Sequence, residues 1–144
     1  IEAQVTLSGA TWSPNAITYG GNNRTHMVRV PDAGRFELRL MDGAVNPYLL
    51  QAGVLASGLD GVASKRDPGK PLDINMYTHG HTLKGVRRLP SNLLDAIRLF
   101  EKSKVLRAGL GDALIDSYAK LKHQDWRSYS ASISQWEREH TLDC

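Results

Sequence analysis

The chain has a single cysteine, Cys144, at its last position. A lone thiol excludes an internal disulfide and any zinc site built from several cysteines of one chain, and this usage fits an intracellular, cytoplasmic setting. Long apolar runs are also scarce. The longest, Tyr48 to Leu59, is interrupted by Gln51 and Ser57 and is too short to span a bilayer. Charge of one sign is nowhere concentrated: 18 Lys and Arg interleave with 15 Asp and Glu for a net charge of +3, whereas a nucleic-acid stripe needs stronger clustering. Membrane and nucleic-acid partners are therefore not expected. No leader is visible, and the start on Ile1 rather than Met reads as a fragment or a processed product. At 144 residues, 41% of them hydrophobic, the expectation is one ordinary globular domain over residues 1–144.

What the chain does have is an alternating hexapeptide, Arg35-Phe36-Glu37-Leu38-Arg39-Leu40. Successive strand residues point to opposite faces, so Phe36, Leu38 and Leu40 are expected in a core and Arg35, Glu37 and Arg39 on a polar face. A carboxylate between two guanidiniums suits a phosphate and a divalent metal. The same pattern also describes a solvated strand with cross-strand ion pairs. Upstream, Asn23 to Pro31 adds Arg24 and Arg29, and Asp32-Ala33-Gly34 supplies a turn in which Gly34 is expected to take a positive φ. A hairpin over Thr25 to Leu40 follows.

Residues 1 to 22 are rich in Gly, Ser, Thr, Asn and Pro and read as loop, with one strand at Ala16 to Tyr19. Asn46-Pro47-Tyr48 reads as a helix start, since Asn accepts from the free amides of the first turn and Pro suits the first helical position. This helix should end near Ala63 or Ser64. Its apolar residues lie nearly all round, which predicts burial behind the hairpin. Lys65 to Arg88 lacks period and reads as a long ordered loop. Ser91 is expected to cap a second helix bearing Leu93, Leu94, Ile97 and Phe100, and Asp112 a third bearing Leu114, Tyr118 and Leu121. From Trp126 to about His140 helical spacing persists, either continuing the third helix or turning near His123. The fold class is α+β: a short antiparallel hairpin packed on a mainly helical C-terminal region. His79 and His81 lack nearby carboxylates and read as solvated loop histidines rather than a metal pair, as do His26 and His123. Trp126, Tyr129 and Trp136 read as packing or subunit contact.

These pieces resemble the glutamine synthetases, specifically the C-terminal part of their catalytic domain. The resemblance rests on Asn23-Arg24 followed by Arg29-Val30-Pro31; Arg35-x-Glu37-x-Arg39; Asp42 and Asn46-Pro47-Tyr48-Leu49; Ala56 to Gly61; and the Leu89 to Leu93 helix start. It covers nearly all of the chain. The C-terminal end, with Trp136-Glu137 and Thr141 to Cys144, is most similar to the type III branch and the glutamate-amine ligases near it.

The resemblance implies an ATP-dependent glutamate-ammonia ligase acting through γ-glutamyl phosphate. It implies that Glu37 binds Mg2+ or Mn2+, that Arg39 contacts glutamate, that Arg24 stabilises the transferring phosphoryl group, and that Arg29 and Arg35 contact nucleotide phosphates. Full-length members form homo-oligomeric rings. The turn at Asp32 to Gly34 is shorter than in well-known bacterial members and lacks a lysine found there. Tyr77 aligns with a tyrosine that some members adenylylate, but Thr78-His79-Gly80-His81 does not fit that pattern, so no regulation is expected there. The family's other metal-binding carboxylates and its ammonia site are absent from these residues, so the chain alone is expected to be inactive. Methylamine or another small amine in place of ammonia, and a non-catalytic nucleotide or anion module, stay open as alternatives.

Overall fold

The computed structural model describes residues 13–141; the lone cysteine and the first part of the expected N-terminal loop lie outside them. The described residues fall into two compact units, one from residues 13–50 with 61–91 and the other from 51–60 with 92–141.

The first unit is built on a three-stranded sheet in the order β1 (Tyr19–Gly20), β2 (Val28–Asp32), β3 (Arg35–Leu38). Strands β2 and β3 form the expected antiparallel hairpin, with Arg29 opposite Glu37 and an irregularity between Arg29 and Asp32. Gly34 has φ +76°, a conformation that costs a residue without Cβ little. The expected strand at Ala16 to Tyr19 is split. Ala16 bridges to Arg88, and only Tyr19 and Gly20 pair, in parallel, with β2. Hydrogen bonds from Ile17 to Arg87, from Leu89 to Asn15 and from Leu72 to Tyr19 hold this run against residues 72–89.

The unit's interior is small and partly polar: Ala16 and Met76 are buried with Thr18, Thr25 and His26. Phe36 departs from its expected place, being 65% exposed while Leu38 and Leu40 are half-buried. Alternation fixes which side a residue takes, but a face is buried only where something covers it. The long loop also needs correcting. It contains α2 (Met76–His79) and a 3₁₀ turn at Gly80–Thr82. Asn75 caps α2 by accepting from the amides of Tyr77 and Thr78, a local device too short to show as periodicity.

Helix α1 (Pro47–Ala63) begins as the sequence predicts, with Asn46 accepting from the amides of Tyr48 and Leu49. The predicted burial fails. No residue of α1 is buried, and Leu55, Leu59 and Val62 are exposed. An all-round apolar helix signals surfaces that need cover, and the described residues cover few of them.

The second unit is helical, with α3 (Leu93–Glu101), α4 (Lys104–Leu110), α5 (Asp112–Ser130) and α6 (Gln135–Thr141). Asn92, not Ser91, caps α3 by accepting from the Asp95 amide. Helix α4, which the sequence reading omits, is capped by Ser103 and ends at Gly111 with φ +87°, so Asp112 is the first residue of α5 rather than its cap. Helix α5 runs straight through His123 and stops at Ala131. Helices α3 and α5 pack on each other, burying Ile97 of the first and Ile115 and Ala119 of the second, and the Phe100 and Tyr118 rings stand edge to face at 5.5 Å. Gly109 of α4 passes so close to α1 that a Cβ there would sit 2.7 Å from that of Ala56. The aromatic stripe is two pairs on separate helices: Trp126 with Tyr129 on α5, and Trp136 stacked on His140 in α6. Among the described residues no helix is long and apolar enough to cross a membrane.

Candidate functional site

The hairpin gathers the charged residues on one sheet face. Directly opposed residues of an antiparallel pair share a face, and Arg29 lies opposite Glu37. Its Nη1 reaches both carboxylate oxygens at 2.7 Å, while its Nε and Nη2 donate to Asn22 Oδ1. The whole guanidinium is thus held between an amide and a carboxylate. This arginine is largely buried, its side chain 12% exposed.

Glu37 is held below the usual carboxylate range, first by the hydrogen bond from Arg29 and further by the charges of Arg29, Arg35 and Arg24; partial burial opposes them. Arg29 grips this carboxylate directly, and the charges of Arg35 and Arg24 act on it without contact. Arg35 is more loosely placed, exposed and 3.4 Å from Asp32 across the turn. Arg24 is exposed at the tip of the turn before β2. Arg39 lines, with Ser13, Glu37, Leu38 and Met41, an open depression of about 490 Å³. Its backbone amide donates to Met27, and its charge acts on Tyr77, whose hydroxyl pKa is raised mainly by burial. That hydroxyl is buried, so a modifying enzyme meets it only after local opening.

The five residues singled out from the sequence, Arg24, Arg29, Arg35, Glu37 and Arg39, thus stand on one hairpin and its leading turn. The sequence reading missed the residues beneath them. Asn23 donates to the Ile74 carbonyl at 2.8 Å and accepts from both the amide and hydroxyl of Thr25. His26, read as solvated, is fully buried, with Nδ1 3.0 Å from the Thr18 hydroxyl. Burial lowers its pKa; the carbonyls of Ile74 and Leu72 and the charge of Asp73 pull the other way. Its Nε2 faces those carbonyls without a hydrogen bond of good geometry. Small polar residues packed around an arginine were the available signal. His123, also read as solvated, pairs with Glu101 at 3.0 Å.

As a metal centre the described residues are incomplete. Both oxygens of Glu37 face Arg29, Asp32 pairs with Arg35 across the turn, and no group of three or more His, Cys, Asp or Glu gathers among the described residues. An octahedral Mg2+ or Mn2+ needs about five oxygen donors beyond one from Glu37, from water, phosphates or other carboxylates.

A family model described as the catalytic domain of glutamine synthetase matches residues 7–141. The glutamine synthetase of Rhizobium leguminosarum bv. phaseoli is 58% identical over 143 residues, 99% of this chain and 33% of that protein. The glutamate–methylamine ligase of Methyloversatilis universalis is 44% identical over 140 residues, 95% of this chain and 31% of that protein. A solved structure titled as a GmaS/ADP complex superposes with a TM-score of 0.90 at 58% identity, over 100% of this chain and 33% of that one. The chain spans about a third of the length of these relatives. With every described residue inside the matched region and the α+β architecture shared, the chain belongs to the glutamine synthetase family, a family of ligases.

Proposed function

We propose that the full-length protein carrying this chain joins glutamate to ammonia at the expense of ATP, through γ-glutamyl phosphate, and that this chain is the C-terminal part of its catalytic domain. The observation that carries the reading is the grip of Arg29 on Glu37 in a hairpin whose strands and leading turn also bear Arg24, Arg35 and Arg39. Phosphoryl transfer asks the protein mainly for positioning and charge neutralisation. Guanidiniums hold phosphate and carboxylate oxygens in pairs, which an ammonium does not.

In this reading Arg24 neutralises charge on the phosphoryl group in flight. Arg35 holds nucleotide phosphates, Arg29 joins it only by giving up its contacts with Glu37 and Asn22, and Arg39, lining the depression beside Glu37, holds the glutamate carboxylate. Glu37 contributes one ligand to Mg2+ or Mn2+, and the remaining donors come from outside the described residues. A homo-oligomer with sites completed by other parts of the protein, working in the cytoplasm, fits such a partial wall.

A second amine has specific support, because a glutamate–methylamine ligase is among the relatives, 44% identical over 95% of this chain. Phosphate release by the full-length protein, with ATP, magnesium and glutamate, is to be measured with ammonia and with methylamine in parallel. Release with ammonia supports the primary reading, and release with methylamine alone replaces ammonia by it. No release with either overturns both. The isolated chain is expected to release none and to bind ATP with manganese only at millimolar level in calorimetry; tight one-to-one binding would instead favour a self-sufficient nucleotide module.

A further inference from the structure

We infer that Thr25 is a positioning residue for Arg24, acting through a hydrogen-bonded clamp with Asn23 that fixes the turn to the Ile74–Met76 segment; this rests on the ligase reading. Arg24 is exposed, yet the residues beside it face inward: Asn23 is half-buried, and Thr25 and His26 are buried.

The Thr25 hydroxyl uses both of its capacities, donating to Asn23 Oδ1 at 2.7 Å and accepting from the Met76 amide at 2.9 Å. Asn23 Oδ1 also takes the Thr25 amide at 3.0 Å, and its Nδ2 donates to the Ile74 carbonyl at 2.8 Å. The residue after Thr25, His26, is bonded to Thr18. The backbone on each side of Arg24 is therefore tied to a segment some fifty positions away in sequence. An arginine has a long, mobile side chain, and a rigid base limits the volume its guanidinium searches. A hydroxyl with a donor role and an acceptor role is met by Ser or Thr; Val has the shape without either.

The clamp acts on Arg24, so its loss should appear where Arg24 acts. An interaction made chiefly in the transition state lowers kcat and leaves KM nearly unchanged. In the full-length protein, Thr25→Val is expected to lower kcat about 10- to 100-fold with KM for ATP and glutamate changed less than about threefold. Thr25→Ser should restore kcat to within about twofold of wild type.

The deciding measurement is the double variant. Arg24→Ala alone is expected to cost about 100-fold or more in kcat, and adding Thr25→Val should cost no more than about a further twofold. A purely structural role would multiply the two losses, and that result overturns the clamp while leaving the ligase reading intact. So would wild-type kcat in Thr25→Val beside a crippled Arg24→Ala. If Arg24→Ala retains full activity, both the role of Arg24 and the clamp fall. Should Thr25→Val not fold, Asn23→Ala removes the other half of the same clamp and is read identically. Amide exchange at Met76, faster in Thr25→Val or Asn23→Ala and protected in Thr25→Ser, reports the clamp independently of turnover.

Discussion

The two units of this chain are held together by different physics. In the helical unit the centre is apolar: Ile115 is wholly inaccessible and Ile97 and the small Ala119 are buried too, and the polar contacts sit at the margin. In the hairpin unit the centre is polar, with Thr18, Thr25 and His26 among its buried residues and side-chain hydrogen bonds joining distant segments. Apolar packing is non-directional and tolerates small shifts, whereas hydrogen bonds fix distance and angle. The half that carries the arginine cluster is the half built for placement.

The largest stability effect should come from the apolar centre. Ile115→Ala is expected to cost about 2–5 kcal/mol, the range for emptying a filled core site, read as a shift of the urea midpoint of the full-length protein and as faster amide exchange in α3 and α5. A loss under about 1 kcal/mol would break the comparison, because α3 and α5 would then owe little to that core.

Next is Gly20→Ala. A Cβ at Gly20 would lie 2.5 Å from the Leu72 carbonyl oxygen and 2.7 Å from the His26 ring, so backbone has to move. About 1–3 kcal/mol is expected, with faster exchange confined to the hairpin unit. Gly21→Ala, where nothing lies within 4 Å, is the control for the general effect of a methyl group there.

Thr18→Val probes the polar centre directly. It leaves His26 Nδ1 buried without its 3.0 Å partner, at a cost of about 1–3 kcal/mol. The same histidine gives a pH test. Burial lowers its folded pKa below the ordinary 6.5, so the unfolded chain takes up the proton first and stability is lost as pH falls below that value. Asp73 and the carbonyls of Leu72 and Ile74 oppose the shift. His26→Leu should flatten the slope of stability against pH just below 6.5; an unchanged slope would assign it to other groups. Glu37 adds to the loss at lower pH, since its depressed pKa makes its contribution present above 4.5 and lost in stronger acid.

The sequence made the polar face of the hairpin legible because strand period is two and turns have a chemistry. Arg29 opposite Glu37, Gly34 in its positive-φ turn and the Asn46 cap of α1 are all local consequences of residue type. What stayed hidden depends on neighbours far along the chain. Phe36 and Leu55 are apolar and exposed, because burial is decided by what covers a face. His26 sits in a polar, turn-like stretch, and only the return of residues 72–76 buries it. Helices α2 and α4 are too short for periodicity to show, and each is announced by a single capping side chain, Asn75 or Ser103. For the candidate site, the charged residues were readable and the framework beneath them was not.

The smallest expected effect sharpens the comparison most. Arg29 and Arg35 flank the same carboxylate, but one is nearly buried with its guanidinium fully engaged and the other is exposed beside a 3.4 Å contact with Asp32. Exposed ion pairs contribute little, because water screens them and both side chains lose freedom in forming them. Arg35→Ala should therefore shift the urea midpoint by no more than about 0.5 kcal/mol. Removing Arg29 strips Glu37 of both its close contacts and orphans Asn22 Oδ1, so Arg29→Ala should destabilise the hairpin unit measurably more. If Arg35 is retained for an anion, Arg35→Ala should weaken ATP binding by the full-length protein while its stability stays put. A loss of stability above about 1 kcal/mol would make Arg35 a framework residue like Arg29, and the division between a placed framework and an exposed, ligand-seeking charge would have to be redrawn.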